Sequence, residues 1–231
     1  MSKTIIALDF STKDEVLAFL HQFPEPVYVK IGMELTYGSG LDIIREVQKM
    51  GHRIFLDLKL HDIPNTVRGG MKNLARLGVD IINVHAAGGV EMMKAAMQGL
   101  EEGAADGKRP LCIAVTILTS ITKEMMNEEL GIPGEVQDTV IRYALNAKEA
   151  GLDGVVCSVH EAMAIHAACG DGFLTVTPGI RLADDTANDQ KRVATPAYAK
   201  EQGCDMIVVG RSITKSADPV KTYREIEEAM N

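Results

Sequence analysis

Short runs of β-branched and aliphatic residues alternate along this chain with longer segments whose apolar residues recur every three or four positions. The short runs are Ile5–Phe10, Val27–Gly32, Arg53–Leu60, Ile81–His85, Leu111–Leu118, Gly154–Ser158, Leu174–Thr177 and Met206–Gly210. Helical spacing is clearest over Ile63–Leu77, Val136–Ala150 and Pro219–Met230. Strand–helix alternation predicts βαβ units and a parallel sheet. Eight strands followed by a final helix suit a closed barrel better than an open doubly wound sheet. The expected fold is α/β, a single (β/α)8 TIM barrel occupying residues 1–231 as one domain.

Glycines punctuate the pattern. Gly51, Gly78, Gly151 and Gly203 each close a helical segment shortly before a strand, three of them as Gly78-Val-Asp80, Gly151-Leu-Asp153 and Gly203-Cys-Asp205. Glycine just past a helix end accepts the left-handed conformation that closes the last turn. These are the expected αβ loops at the face of the barrel away from a site. Gly99–Gly107 is expected to be a flexible connection.

The most informative segment is Arg53-Ile-Phe-Leu-Asp-Leu-Lys-Leu-His-Asp62. Alternate residues of a strand share a face, so Leu56, Leu58 and Leu60 point one way, Asp57 and Lys59 the other. Parallel strands are covered on both sides. In a barrel the leucines would meet the helices and the charges would face inward, where they must meet each other or a ligand. Asp62 follows just past the strand, and Ile63-Pro64 opens a helix with proline in its first turn. The Asp-x-Lys-x-x-Asp set therefore lies at the C-terminal mouth, where barrel sites lie. Asp9 and Lys30, near the ends of the first two strands, add an acid and a cation there. A structural salt bridge at a strand end is the plainer alternative.

The last two strands carry a second signal. Thr177-Pro-Gly-Ile-Arg181 and Val209-Gly-Arg211 place two arginines where barrels often bind phosphate. Gly210 would let a backbone N–H approach an anion, and Arg211 offers a fork of donors. The polar stretch Asp184–Arg192 is expected to be a lid. Two surface arginines near a turn are the alternative.

Composition narrows the function classes. A net charge of −8 argues against general nucleic-acid binding, which needs clustered Lys and Arg, but allows one small phosphorylated ligand. The N-terminus does not read as a signal peptide, and no apolar run reaches the ~20 residues that cross a bilayer. Cys112, Cys157, Cys169 and Cys204 are scattered and expected to be reduced thiols in a cytoplasm. His85 is expected to be structural. His160 and His166, six apart, do not match a helical metal pair. The methionines at 92, 93, 125 and 126 are expected in the core.

Taken together, Ala7-Leu-Asp9, Val29-Lys30-Ile-Gly32, Phe55-Leu-Asp-Leu-Lys-Leu-His-Asp-Ile-Pro64 with Thr66, Asn83-Val-His-Ala86, Thr119-Ser120, Val176-Thr-Pro-Gly-Ile-Arg181 and Val209-Gly-Arg211 resemble one family. It is the bacterial-type orotidine 5′-monophosphate decarboxylases, and the resemblance covers essentially the whole chain. It implies formation of UMP and CO2, without cofactor or metal. It implies that Lys59 protonates C6 of the pyrimidine, that Asp57 sits beside the departing carboxylate, and that Lys30 and Asp62 complete the charged network. Asp62, with Thr66, is implied to come from the partner of an obligate homodimer. Asp9 and Lys30 would meet the ribose, Thr119 and Ser120 the base or ribose. Pro178, Arg181, Gln190, Gly210 and Arg211 would complete the substrate site, with Gln190 on the lid. Two other readings stay open. One is a Mg2+-dependent keto-sugar-phosphate decarboxylase or aldolase of the same barrel group, although Lys30 stands where such an enzyme is expected to place an acid. The other is a non-catalytic phospho-ligand-binding barrel.

Overall fold

A computed structural model describes residues 3–105, 107–182 and 194–231. Eight parallel strands close into a barrel in sequence order, each hydrogen-bonded to its neighbours and β1 to β8. The strands are β1 (Thr4–Ala7), β2 (Tyr28–Gly32), β3 (Arg53–Leu60), β4 (Ile81–His85), β5 (Leu111–Val115), β6 (Gly154–Val156), β7 (Leu174–Thr177) and β8 (Met206–Val209). Seven of the eight expected runs contain one, and the first overlaps β1, which starts one residue earlier at Thr4. Runs 1, 5 and 6 are shorter than their apolar stretches because pairing thins out at the mouth. A single ladder bond continues each, from the N–H groups of Leu8, Thr116 and Cys157 to the carbonyls of Lys30, Val156 and Val176.

The helices between the strands are α1 (Lys13–Leu20), α2 (Met33–Ser39), α3 (Asp42–Lys49), α4 (Pro64–Ala75), α5 (Gly89–Gly103), α6 (Lys123–Glu128), α7 (Val136–Glu149), α8 (Ala162–Cys169), α9 (Pro196–Glu201), α10 (Arg211–Thr214) and α11 (Pro219–Met230). The period-2 pattern of each strand divides the apolar residues into two cores. Ile5, Ala7, Tyr28, Phe55, Ile81, Ile113, Val176, Met206 and Val208 fill the barrel. Ile6, Val29, Ile31, Ile54, Leu56, Ile82, Val84, Val155 and Val209 face outward into the helical layer, where Met92, Met93 and Met126 also lie.

At the N-terminal end of the barrel each odd-numbered strand receives a carboxylate. Glu227 accepts the N–H groups of Lys3 and Thr4, Asp80 that of Ile54, Asp153 that of Cys112 and Asp205 that of Thr175, at 2.7 to 3.0 Å. Three of these are the aspartates of the Gly-x-Asp phrases. Their glycines have φ of +69°, +84° and +75°, which closes the preceding helix and delivers the aspartate to the neighbouring strand.

One expectation is corrected. Gly99 and Gly103 do not belong to a flexible connection but form the last turns of α5. A Cβ at Gly99 would run into the backbone carbonyl of Arg68, and one at Gly103 into that of Lys72. Their lack of a side chain lets α5 lie directly on α4, and Glu102 then reaches both Arg68 and Lys72. Glycine weakens a helix intrinsically; here close approach outweighs propensity.

Candidate active site

The mouth of the barrel is built around an irregularity in β3. Pairing with β4 runs Phe55↔Ile81 and Leu56↔Ile82, then resumes at Leu60↔Val84. Four residues of β3 are thus matched by two of β4. Lys59 absorbs the surplus with φ +53°, the one non-glycine residue with positive φ among those described. Such a conformation costs an L-residue roughly 1–2 kcal/mol, and strain of this kind gathers at functional sites. The fully buried Asn83 holds it. Its Oδ1 accepts the Lys59 N–H at 2.8 Å, while its Nδ2 donates to Asp57 Oδ1 at 2.7 Å.

Four charges then follow one another across β1 to β3. Lys59 Nζ lies 2.7 Å from Asp57 Oδ1, Lys30 Nζ 3.3 Å from Asp57 Oδ2, and the same Nζ 3.4 Å from Asp9 Oδ1. The order acid, base, acid, base leaves no like charges adjacent. Burial pushes the Asp57 carboxyl up, but Lys30, Lys59 and the Asn83 amide more than offset it, so the group titrates below the usual carboxylate range. Asp57 is therefore ionised at neutral pH although buried. Asp9 is largely exposed at the cleft rim.

These side chains line one wall of a cleft of about 630 Å3, a volume in the range of small-molecule sites. The lining continues from β1 onto its neighbours β8 and β7, where the sequence predicts the phosphate end: Pro178, Gly179 and Arg181 after β7, Gly210 and Arg211 after β8. Gly179 has φ +83°, which turns the chain so that Arg181 meets the cleft. Gly210 has no positive φ, and a Cβ there would meet Asp9 and Ala7 at ordinary contact distances. Thr119 also lines the cleft. Five cationic side chains, among them Lys215, line the cleft against three carboxylates. In a chain of net charge −8 this local excess favours an anionic ligand.

The cleft thus gathers Asp9, Lys30, Asp57, Lys59, Thr119, Pro178, Arg181, Gly210 and Arg211. It does not gather Asp62, Thr66 or Ser120. Asp62 is exposed and accepts the N–H of Ile63 at 2.6 Å, and Thr66 is exposed on α4. The chain leaves the mouth after Lys59 and carries both away from their own cleft. The expectation that Asp62 joins the network does not hold within one chain. Gln190 lies outside the described residues, as does the expected lid. Sequence reading missed Glu34, which lines the cleft and accepts the Ser11 hydroxyl at 2.8 Å, and Lys215. Lys215 stands four residues after Arg211, a helical spacing that could have revealed it. It also missed Asn83 as a partner of the β3 charges. His85 sits outside the cleft against the His61 ring, 5.6 Å between centroids; burial, then His61 and Lys59, lower its pKa. Among the described residues no three His, Cys, Asp or Glu are grouped to hold a metal.

A closed eight-stranded parallel barrel with a charged mouth and an excess of cations in its cleft suits a small anionic ligand. The family follows from comparison. The model of the orotidine 5′-phosphate decarboxylase / HUMPS family matches residues 2–226, and the chain belongs to that family. Orotidine 5′-phosphate decarboxylases from Lysinibacillus sphaericus (strain C3-41) and Bacillus cereus (strain Q1) are each 57% identical to it. These alignments cover 98% and 97% of this chain and 97% and 95% of the relatives. The crystal structure of orotidine 5′-phosphate decarboxylase from Lactobacillus acidophilus superposes with a TM-score of 0.90 at 42% identity, covering all of both chains. An uncharacterized conserved protein from Geobacillus kaustophilus gives 0.89 at 50%, covering 99% of this chain and 100% of that one.

Proposed function

We propose that this protein decarboxylates orotidine 5′-monophosphate to UMP, the last step of pyrimidine nucleotide synthesis, with Lys59 as the proton donor. The observation that carries the reading is the ammonium of Lys59, 2.7 Å from the buried Asp57 carboxylate, lining the same cleft as Arg181 and Arg211. The near-full-length identity to relatives named for this activity supports it over the sugar-phosphate members of the family. So does Lys30, whose ammonium stands between Asp9 and Asp57 and already meets both carboxylates.

The chemistry explains the residue types. When the C6–carboxylate bond breaks, CO2 departs and the electron pair stays on C6 in the plane of the ring, where it is not delocalised. A preorganised ammonium at C6 stabilises that developing charge. The same ammonium then gives C6 its proton, forming UMP, and Lys59 recovers a proton from solvent. Asp57, ionised beside the substrate carboxylate, destabilises the bound anion relative to neutral CO2. Arg181, Arg211 and Gly210 grip the phosphate, with Gln190 completing that set. Asp9 and Lys30 meet the ribose, and Thr119, with Ser120 beside it, the base or ribose. Contacts remote from C6 supply binding energy that orders the reacting centre. The protein contributes charge and position and requires no cofactor in this scheme.

The proposal includes a homodimer in which Asp62 and Thr66 reach the partner's cleft. Their exposure beside Ile63, itself 68% exposed, supports this reading. Bacterial relatives and four buried, free cysteines support a cytoplasmic setting. The described residues include no helix long and apolar enough to cross a membrane.

The test is UV-monitored turnover of orotidine 5′-monophosphate by the purified protein, with and without excess EDTA. Chelator-insensitive formation of UMP is expected. Absence of conversion by folded protein overturns the reading, and EDTA-sensitive activity on a keto-sugar phosphate replaces it. Mixing Lys59→Ala with Asp62→Ala protein tests the shared site. Hybrid dimers regain activity if Asp62 acts across the interface and stay inactive if it does not.

A further inference from the structure

We propose that Asn83 is a positioning residue for the reaction, holding the Lys59 backbone in its left-handed bulge and the Asp57 carboxylate in the orientation that meets Lys59. The inference rests on the reading of Lys59 and Asp57 as the reacting pair. Asn83 itself does not line the cleft.

Three observations lead to it. Asn83 pairs in ordinary register with Ile113 of β5 and is completely buried, two residues after Ile81, which packs in the barrel core. On its other side lies the stretch of β3 where the register breaks, between Leu56 and Leu60. Its side-chain amide spans that break, replacing the ladder bond that the surplus residues cannot make. The partners fix the amide's orientation. A backbone N–H can only donate and an ionised carboxylate can only accept, so Oδ1 must face Lys59 and Nδ2 must face Asp57. No other residue type of this size offers one donor and one acceptor at that separation. Aspartate would retain the acceptor but set a second carboxylate against Asp57. Leucine would fill the volume and leave both the Lys59 N–H and one Asp57 bond unmet.

The same contact connects backbone shape to charge. Asp57 Oδ1 is shared by the Asn83 amide and the Lys59 ammonium, each at 2.7 Å. The groups facing Asp57 are Lys30 from β2, Lys59 from its own strand and Asn83 from β4. Asp9 lies beyond Lys30, and His85, with His61, lies at the end of β4. Removing the Nδ2 donor withdraws one of the interactions that keep the Asp57 carboxyl low, so its titration moves upward.

The experiment compares the full-length protein with Asn83→Leu and Asn83→Asp. In Asn83→Leu the expected kcat loss is about 10²-fold, as for misplacement of a reacting group. KM and UMP affinity should change by less than about threefold, because the phosphate and ribose contacts are untouched. The acidic limb of kcat should move to higher pH, and further in Asn83→Asp. A merely structural role predicts fewer UMP-binding sites per chain, a kcat loss matching that decrease, and an unmoved pH limb; that result, or kcat within twofold of the parent, overturns the proposal. Two readouts do not depend on turnover. The 13Cγ resonance of Asp57 should titrate at higher pH in Asn83→Leu than in the parent. In the unmodified protein the Asn83 side-chain amide resonances should follow the Asp57 titration, and amide signals blind to it sink the idea even if the variants do not fold. A parent protein inactive on orotidine 5′-monophosphate but positive in both NMR tests would refute the assigned reaction and leave the positioning intact.

Discussion

The two ends of this barrel use their carboxylates in opposite ways. At the N-terminal end Asp80, Asp153, Asp205 and Glu227 each bind a backbone N–H at the start of an odd-numbered strand. Arginines complete two of them, Arg53 on Asp80 and Arg109 on Asp153 through two bonds. Those carboxylates bond to fixed dipoles of the fold and have little left for a ligand. At the mouth, Asp9 and Asp57 meet the ammonium groups of lysines, and the strand that carries two of the charges is bent into a strained bulge. One end spends its charge on stability. The other keeps charge preorganised at an open cleft, where it can act on a bound molecule.

Substitutions should separate the two ends. The largest effect is expected from Lys59→Ala, which should abolish turnover while UMP binding stays detectable by calorimetry; near-normal turnover would remove Lys59 from the mechanism. Arg181→Ala should follow, with kcat/KM lower by about 10²-fold and the loss recovered largely for ligands lacking the phosphate. An equal loss for a phosphate-free nucleoside would show that Arg181 does not grip phosphate. The converse substitution, Asp153→Ala, should leave kcat within twofold. Unmet N–H and guanidinium groups should lower stability by about 1–3 kcal/mol. For a chain of this length that is a Tm decrease of roughly 2–12 °C, readable by calorimetry. A fall in kcat without a fall in Tm would erase the contrast between the ends.

The smallest effect is a pH dependence. The folded-state pKa of Asp57 lies below its ordinary value, so its ionisation contributes stability above about pH 4. That contribution disappears as pH falls through the lowered folded value. Denaturant unfolding of the parent and Asp57→Asn should therefore show a stability difference at pH 6 that narrows steadily toward pH 2. A difference that widens with acid would mean that Asp57 is not held ionised by Lys30 and Lys59.

Much of the fold was legible because its signals are local. The β3 alternation sends Leu56 outward and Asp57 inward, as period 2 requires, and Pro64 opens α4 as a first-turn proline should. The phrase Gly-x-Asp marked helix ends correctly, but what the aspartates bind lies 26, 41 and 30 residues away and is invisible in the phrase itself. Gly99 and Gly103 misled for a related reason. Glycine reads locally as flexibility, and only the carbonyls of α4 lying against it show that close packing is the cause.

What the sequence determined alone was therefore the number and order of strands, the alternation of inner and outer faces along them and the charged residues at the ends of β1, β2 and β3. These follow from periodicity and from where strands end in a barrel. Tertiary structure decided the rest. It opened a bulge at Lys59 and brought Asn83 across 24 and 26 residues to hold it. It also turned Asp62 and Thr66 away from the cleft their own chain builds. Such features depend on which backbone and side-chain groups of separate strands come within hydrogen-bond distance. No pattern of nearest neighbours along the chain carries that information.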